Sequence, residues 1–176
     1  MGDTLITLIA IFLAAILMFV FPLMSISERS DDIAQLGVHT ATVEFVDNIS
    51  SVGKITYADY DAFLQSLTAT GNSYDVEMEV KVLDENPGKK TTWAVSDKIG
   101  ENIYYSIFTS QIQDVLEDAS TGNKYVLKEG DIVKVKVKNT NTTISQMLRN
   151  FFYTVTGEDT YQVAAQHAAM VKSNGD

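Results

Sequence analysis

The sequence predicts an α+β protein in which one long N-terminal helix carries a small head, the head being an antiparallel sheet of about five strands with short helices. Three observations point there. No residue from Thr4 to Ser27 is charged, and most are Leu, Ile, Ala, Phe, Met or Val. From Asp31 onward apolar residues recur at spacings of three and four, the period of a helix with one buried face. After Ser51 the chain breaks into short runs that alternate apolar and polar between Gly-, Asn- and Pro-containing turns, the pattern of half-buried strands. Three regions follow: an apolar helix over residues 1–27, an amphipathic continuation over 28–50, and an α+β head over 51–176.

The apolar run is long enough to span a bilayer, whose core of roughly 30 Å needs about 20 apolar residues in a helix. A helix also satisfies its own backbone polar groups, as a spanning element must. A cleaved signal peptide fits poorly. No Lys or Arg precedes the run, the run exceeds an h-region, and Phe21-Pro22-Leu23-Met24 is no small-residue cleavage site. Two readings stand: a plain single-pass anchor, and a helix held in a membrane before assembly and in a protein bundle afterwards. The flanks hold Asp3 on one side and Glu28, Arg29, Asp31 and Asp32 on the other, so the charge-bias rule scarcely votes. The head is expected outside the cell, since the span is N-terminal, the segment before it short and the head acidic. Pro22 removes a helix hydrogen bond and crowds the preceding turn, so a bend is expected there.

Beyond the polar joint Ser25 to Ser30, the stripe Ile33, Leu36, Thr40, Val43, Val46 and Ile49 or Ser50 is expected to face the head. One helix from about Thr4 to about Ile49 would be roughly 70 Å long. Ser51-Val52-Gly53-Lys54 breaks it. Thr56 with Asp59 three residues on reads as an N-cap for a short helix whose apolar face is Tyr57, Tyr60, Phe63, Leu64 and Leu67. Thr70-Gly71-Asn72 stops it. Tyr74, Val76, Met78, Val80 and Val82 then alternate with Asp75, Glu77, Glu79 and Lys81 as a strand with one wet face. After the turn Asn86-Pro87-Gly88-Lys89, a second strand from Thr91 to Val95 around Trp93 closes a hairpin. Ile99 to Ala119 reads as helical, with Ile103 to Phe108 equally acceptable as a strand. A short strand Tyr125 to Lys128, a corner at Glu129-Gly130-Asp131, and a strand Ile132 to Lys138 come next. In that strand Val133, Val135 and Val137 face one way, and Lys134, Lys136 and Lys138 the other, positioned to meet Glu77 and Glu79. A loop Thr140 to Thr143, a helix Ile144 to Tyr153 and a last strand Tyr161 to Val171 complete the head. The tail Ser173 to Asp176 is expected to be mobile.

Composition narrows the function. The net charge of −10, from 13 Lys and Arg against 23 Asp and Glu, argues against nucleic acid, whose phosphates demand a basic surface. The absence of cysteine excludes disulfides, thiolate metal sites and a Cys nucleophile. The two histidines, His39 and His167, sit on different elements with no metal-ligand spacing around them. There is no phosphate-cradling glycine loop and no nucleophile elbow. Asp84-Glu85-Asn86 and Glu158-Asp159 lack the oxygen spacing of an EF-hand and read as turns. No catalytic residue, metal or cofactor is expected. Asp3 stands out, because a carboxylate at the mouth of an apolar helix is costly if buried alone. It either sits among headgroups and caps the helix, or meets the terminal amine of a neighbouring subunit in an apolar filament core.

The apolar helix containing Pro22, its amphipathic continuation from Asp31, the run Gly130-Asp131-Ile132-Val133-Lys134-Val135-Lys136-Val137 and the Ala-rich strand Tyr161 to Val171 occur in an order that resembles type IV pilin-like proteins, specifically TadE-type pilins and pseudopilins of tight-adherence systems. In that family a leader ends in Gly and a Glu lies five residues into the mature helix. Here Asp3 follows Gly2, and the fifth residue after Gly2 is Thr7, so Asp3 is expected to take the carboxylate's part in an uncleaved subunit. The resemblance implies a structural subunit, pilin or minor pilin, of a cell-surface filament. It would reside in the membrane first, then assemble as a helical homo-oligomer with the pilus machinery. The core contacts are expected at Asp3, Leu5, Ile9, Phe12, Ile16, Phe19 and Pro22, and stalk-to-head packing at Ile33, Leu36, Val43 and Val46. The alternative is a monomeric, single-pass, membrane-anchored extracellular binding domain.

Overall fold

The computed structural model describes residues 2–84, 103–141, 147 and 163–175. Helix α1 (Gly2–Val52) is continuous over 51 residues and runs through Pro22. Strand β1 (Lys54–Thr56), helix α2 (Tyr57–Thr68) and strand β2 (Tyr74–Leu83) follow. Next come strand β3 (Tyr104–Phe108), helix α3 (Thr109–Glu117) and strands β4 (Lys124–Val126), β5 (Ile132–Asn139) and β6 (Val163–Met170). The main sheet is antiparallel in the order β3-β2-β5-β6, and β1 pairs with β4 in a small second sheet. The fold is thus α+β as the sequence predicts, with six described strands.

Helix α1 ends for a conformational reason. Gly53 has φ of +75°, a left-handed value open to glycine, and its N–H donates to the Ile49 carbonyl at 2.8 Å. Thr56 then starts α2: its hydroxyl oxygen accepts the Asp59 N–H at 3.1 Å, and the hydroxyl itself donates to the Asp59 carboxylate at 2.6 Å. Of the expected apolar face of α2, Tyr60, Phe63 and Leu67 are buried, Leu64 is half-buried, and Tyr57 is exposed.

The head packs the outer half of α1 against β5 and β6, with α2 also against α1. Val133, Val135 and Val137 of β5 and Val76, Met78 and Val80 of β2 form the sheet's buried face. Across it lie Val38, Phe45, Val46 and Ile49 of α1 and Phe63 and Leu67 of α2. Phe45 and Phe63 stack with ring centroids 4.4 Å apart. Alanines Ala165 and Ala169 stand on the packed side of β6, where short side chains let a helix approach closely. The other face of the sheet is wet. Glu79 opposes Lys134 and Glu77 opposes Lys136 in register. Lys134 lies 3.9 Å and Lys136 4.0 Å from their carboxylates, and Lys138 bonds Glu77 directly. Lys138 holds the Glu77 carboxyl below its ordinary range. Pairs this exposed align strands more than they stabilise them.

Four expectations change. The stripe of α1 that meets the head is Ala34, Val38, Thr42, Phe45, Val46 and Ile49. Val46 therefore packs as expected and Val43 is half-buried, but Ile33 and Leu36 are 66% and 67% exposed. Hydropathy ranks Ile and Leu above Ala and Thr, yet the sheet takes the neighbouring register, and the Thr42 hydroxyl is satisfied by donating to the Val38 carbonyl at 2.7 Å. Residues 99–119 do not form one helix: within them Tyr104–Phe108 is a strand paired with β2, and the helix starts only at Thr109. Thr109 marks the change, its hydroxyl accepting the Met78 N–H at 2.7 Å and donating to the Met78 carbonyl at 3.2 Å. The described neighbours of β2 are β3 and β5, while the expected hairpin partner Thr91 to Val95 and most of the helix Ile144 to Tyr153 lie outside the described residues. The tail is fixed as far as Gly175: the Lys172 N–H donates to the Ser50 carbonyl at 2.8 Å, and the Gly175 N–H to the Leu127 carbonyl at 3.0 Å.

Asp131 is the polar staple of the head. It is 2% exposed, and its carboxylate accepts the Leu83 and Lys128 N–H groups, each at 2.9 Å. Its carbonyl accepts the Val171 N–H at 2.7 Å, so one residue joins β2, the approach to β5 and the end of β6. Asp131→Ala strands two donors at about 1–3 kcal/mol each. The expected result is a clear drop in melting temperature by circular dichroism, with Asp131→Asn, which keeps one acceptor oxygen, recovering part of it.

Burial pushes the Tyr125 hydroxyl up to about 12, with Tyr105 and Asp131 adding to the effect. The folded state thus favours the neutral phenol over an unfolded value of about 10. This contribution is whole below the unfolded value and disappears as pH rises through the folded one. Stability should therefore fall between about pH 10 and 12, and Tyr125→Phe should flatten that fall in a pH series of melting curves.

Candidate assembly surface

The inner half of α1 is the one large surface that the head does not use. An 18-residue stretch within this helix has a mean hydropathy of 2.9 and none of it is buried. Leu5, Ile9, Phe12, Ile16 and Phe19 are exposed, between 41% for Ile16 and 72% for Phe19. Their spacings of four, three, four and three put them on one side of the helix. The other sides are equally apolar: Leu8, Ile11, Met18 and Phe21 are exposed as well. A helix apolar all round needs an apolar surrounding on every side, either lipid or other helices. The chain therefore has one N-terminal helix long and apolar enough for single-pass membrane anchoring.

Asp3 lies in the first turn of α1, where a carboxylate meets the positive end of the helix dipole. The Thr7 hydroxyl donates to the Asp3 carbonyl at 2.7 Å, which removes a polar group from the apolar surface. Pro22 is exposed within the helix, and with Asp3 and the five apolar residues it completes a set that lies wholly outside the head. Of the four residues expected to join stalk and head, Val46 and Val43 are brought to the head, and Ile33 and Leu36 are turned away from it.

Elsewhere the described residues offer little for chemistry. No group of three or more His, Cys, Asp or Glu side chains among them is arranged to hold a metal ion. His39 is exposed on α1. His167 of β6 places its Nε2 3.2 Å from the Asp47 carboxylate of α1, a tie between helix and sheet. Burial raises the Tyr60 hydroxyl above its ordinary value against the opposing hydrogen bond from Gln113, whose amide donates to it at 2.9 Å. That pair joins α2 to α3. Comparison with family models, curated proteins and solved structures finds no match to this chain.

Proposed function

We propose that the chain is a structural subunit of an extracellular filament of the type IV or tight-adherence kind, held in the membrane by α1 before assembly and packed through α1 afterwards. The observation that carries this reading is the division of one unbroken helix. Its outer half is built into the head's core, and its inner half, apolar on every side, is left wholly uncovered. A rigid continuation of this kind transmits the head's position to the stalk. Lipid is as apolar as leucine, so close packing and the pairing of Asp3 with a neighbour's terminal amine would set the register between copies. A head-to-tail contact that does not close on itself builds a helical filament, with the heads outside.

The competing reading is a monomeric anchored domain that binds a partner outside the cell. The all-round apolarity of the stalk favours it equally, because lipid surrounds a lone helix on all sides. The two part at Asp3. In a filament, Asp3→Ala should lower the yield of sheared filaments while leaving the head's melting temperature unchanged. An undiminished yield would count against the pairing role, and a wild-type chain found wholly as a membrane monomer would count against the filament.

A further inference from the structure

We propose that Ile33 and Leu36 dock against the stalk of a second copy of this chain, so that the contact between copies continues past the bilayer surface. The inference rests on the filament reading and extends it to residues that the head leaves uncovered. Ile33 and Leu36 are among the more exposed side chains of α1, on the side away from the buried row Ala34, Val38, Thr42, Phe45. The head therefore does not cover them. Lipid does not reach them either. Thr4 to Ser27 already measures about 36 Å at 1.5 Å per residue, and Ile33 and Leu36 lie about 9 and 14 Å further on. The hydrocarbon core is about 30 Å thick.

Two features name the occupant. The first is continuity: Leu5, Phe12, Phe19, Ile26 and Ile33 follow one another at intervals of seven, and each is more than half exposed. A seven-residue apolar repeat is the seam along which helices supercoil about one another. A helix lying along this seam in the stalk meets Ile33 next, and Leu36 beside it. The second is where the seam stops. Past Leu36 the same outer side turns polar, with Thr40, Glu44, Asn48 and Ser51 all exposed. The apolar contact thus has a defined end, about one turn beyond Leu36 and well short of the end of α1. A partner that is itself a stalk of this chain, apolar to Ser27 and joined to an acidic head, matches that length.

The test is photo-crosslinking in the full chain on intact cells. A benzophenone amino acid is built in at Phe12, Ile33, Leu36 or Glu44, one position per variant. The expected result is a chain–chain adduct at Phe12, Ile33 and Leu36, mapped by mass spectrometry to α1 of the second copy, and loss of that adduct at Glu44. Adducts at Ile33 and Leu36 to lipid, to a different protein or to nothing, with Phe12 still reaching a second copy, would overturn this inference and leave the filament reading standing. Equal adducts at Glu44 would overturn it too, since the seam would then not set the contact. No chain–chain adduct at Phe12 would overturn both.

Discussion

Ile16→Arg should remove the chain from membranes and filaments while leaving the head folded. Ile16 stands near the middle of the uncharged run Thr4 to Ser27 and touches no part of the head. A charged Arg at the centre of a spanning helix costs about 2.5–3.5 kcal/mol on insertion scales. At 1.4 kcal/mol per tenfold, that is a shift of about 100-fold or more in partition. The same change at Leu5 should be mild, because a long cationic side chain near a helix end reaches the interface. Fractionation of membrane, sheared and soluble material checks the first outcome, and circular dichroism in detergent checks that the head survives. An Ile16→Arg chain that still fills the membrane fraction at the wild-type level would mean that α1 is not buried in an apolar surrounding at all.

Gly53→Ala should be among the most destabilising single changes in the head. A Cβ at this position would stand 2.1 Å from the Ser173 carbonyl oxygen and 2.6 Å from the Gly175 nitrogen. Both are backbone atoms, so no side chain can rotate aside. The left-handed φ of +75° adds its own strain. Relief requires the tail to leave, and with it the hydrogen bonds from Lys172 to Ser50 and from Gly175 to Leu127. Strain of about 1 kcal/mol and two lost bonds at about 1 kcal/mol each give a loss of about 3 kcal/mol. Gly71→Ala is the control. Gly71 has a φ of +83°, yet nothing lies within 4 Å of its added Cβ, so only the strain of about 1 kcal/mol applies. Equal melting temperatures for the two variants would show that the tail does not pack on Gly53.

These two changes also mark what the sequence carries on its face and what it hides. The stalk was legible because an uncharged run of its length has few physical outcomes. The alternations in Tyr74–Leu83 and Ile132–Asn139, the Thr56 cap and the Glu77 and Glu79 ladder to Lys134 and Lys136 were legible because each is a local pattern. The face of α1 that meets the head was not. Two adjacent stripes share the helical period, and the choice belongs to the sheet, whose small Ala165 and Ala169 accept Phe45 and Ile49 rather than the larger row beside them. Tyr104–Phe108 has a mixed pattern, and pairing with β2 decides it. The tail Ser173–Asn174–Gly175 reads as a free end, since its partners Gly53, Leu127 and Glu129 are remote in sequence. Asp131 reads as a turn residue for the same reason: its acceptor role for Leu83 appears only once β2 and β5 are side by side.

The assembly surface divides in the same way. Its apolarity is evident in the residues, whereas its limits depend on the fold. Only the packed head shows that Ile33 and Leu36 stay uncovered and that the outer side turns polar at Thr40. The stalk, the seam and the fixed joint at Gly53 together describe a subunit whose head and helix move as one piece.

Shearing intact cells, imaging the released material by negative-stain electron microscopy and identifying its proteins by mass spectrometry tests the central claim most directly. The account predicts filaments that contain this chain, with peptides from the Thr4 to Ser27 stalk among those recovered. Sheared material without the chain, and every copy in the detergent-soluble membrane as a monomer, would contradict it.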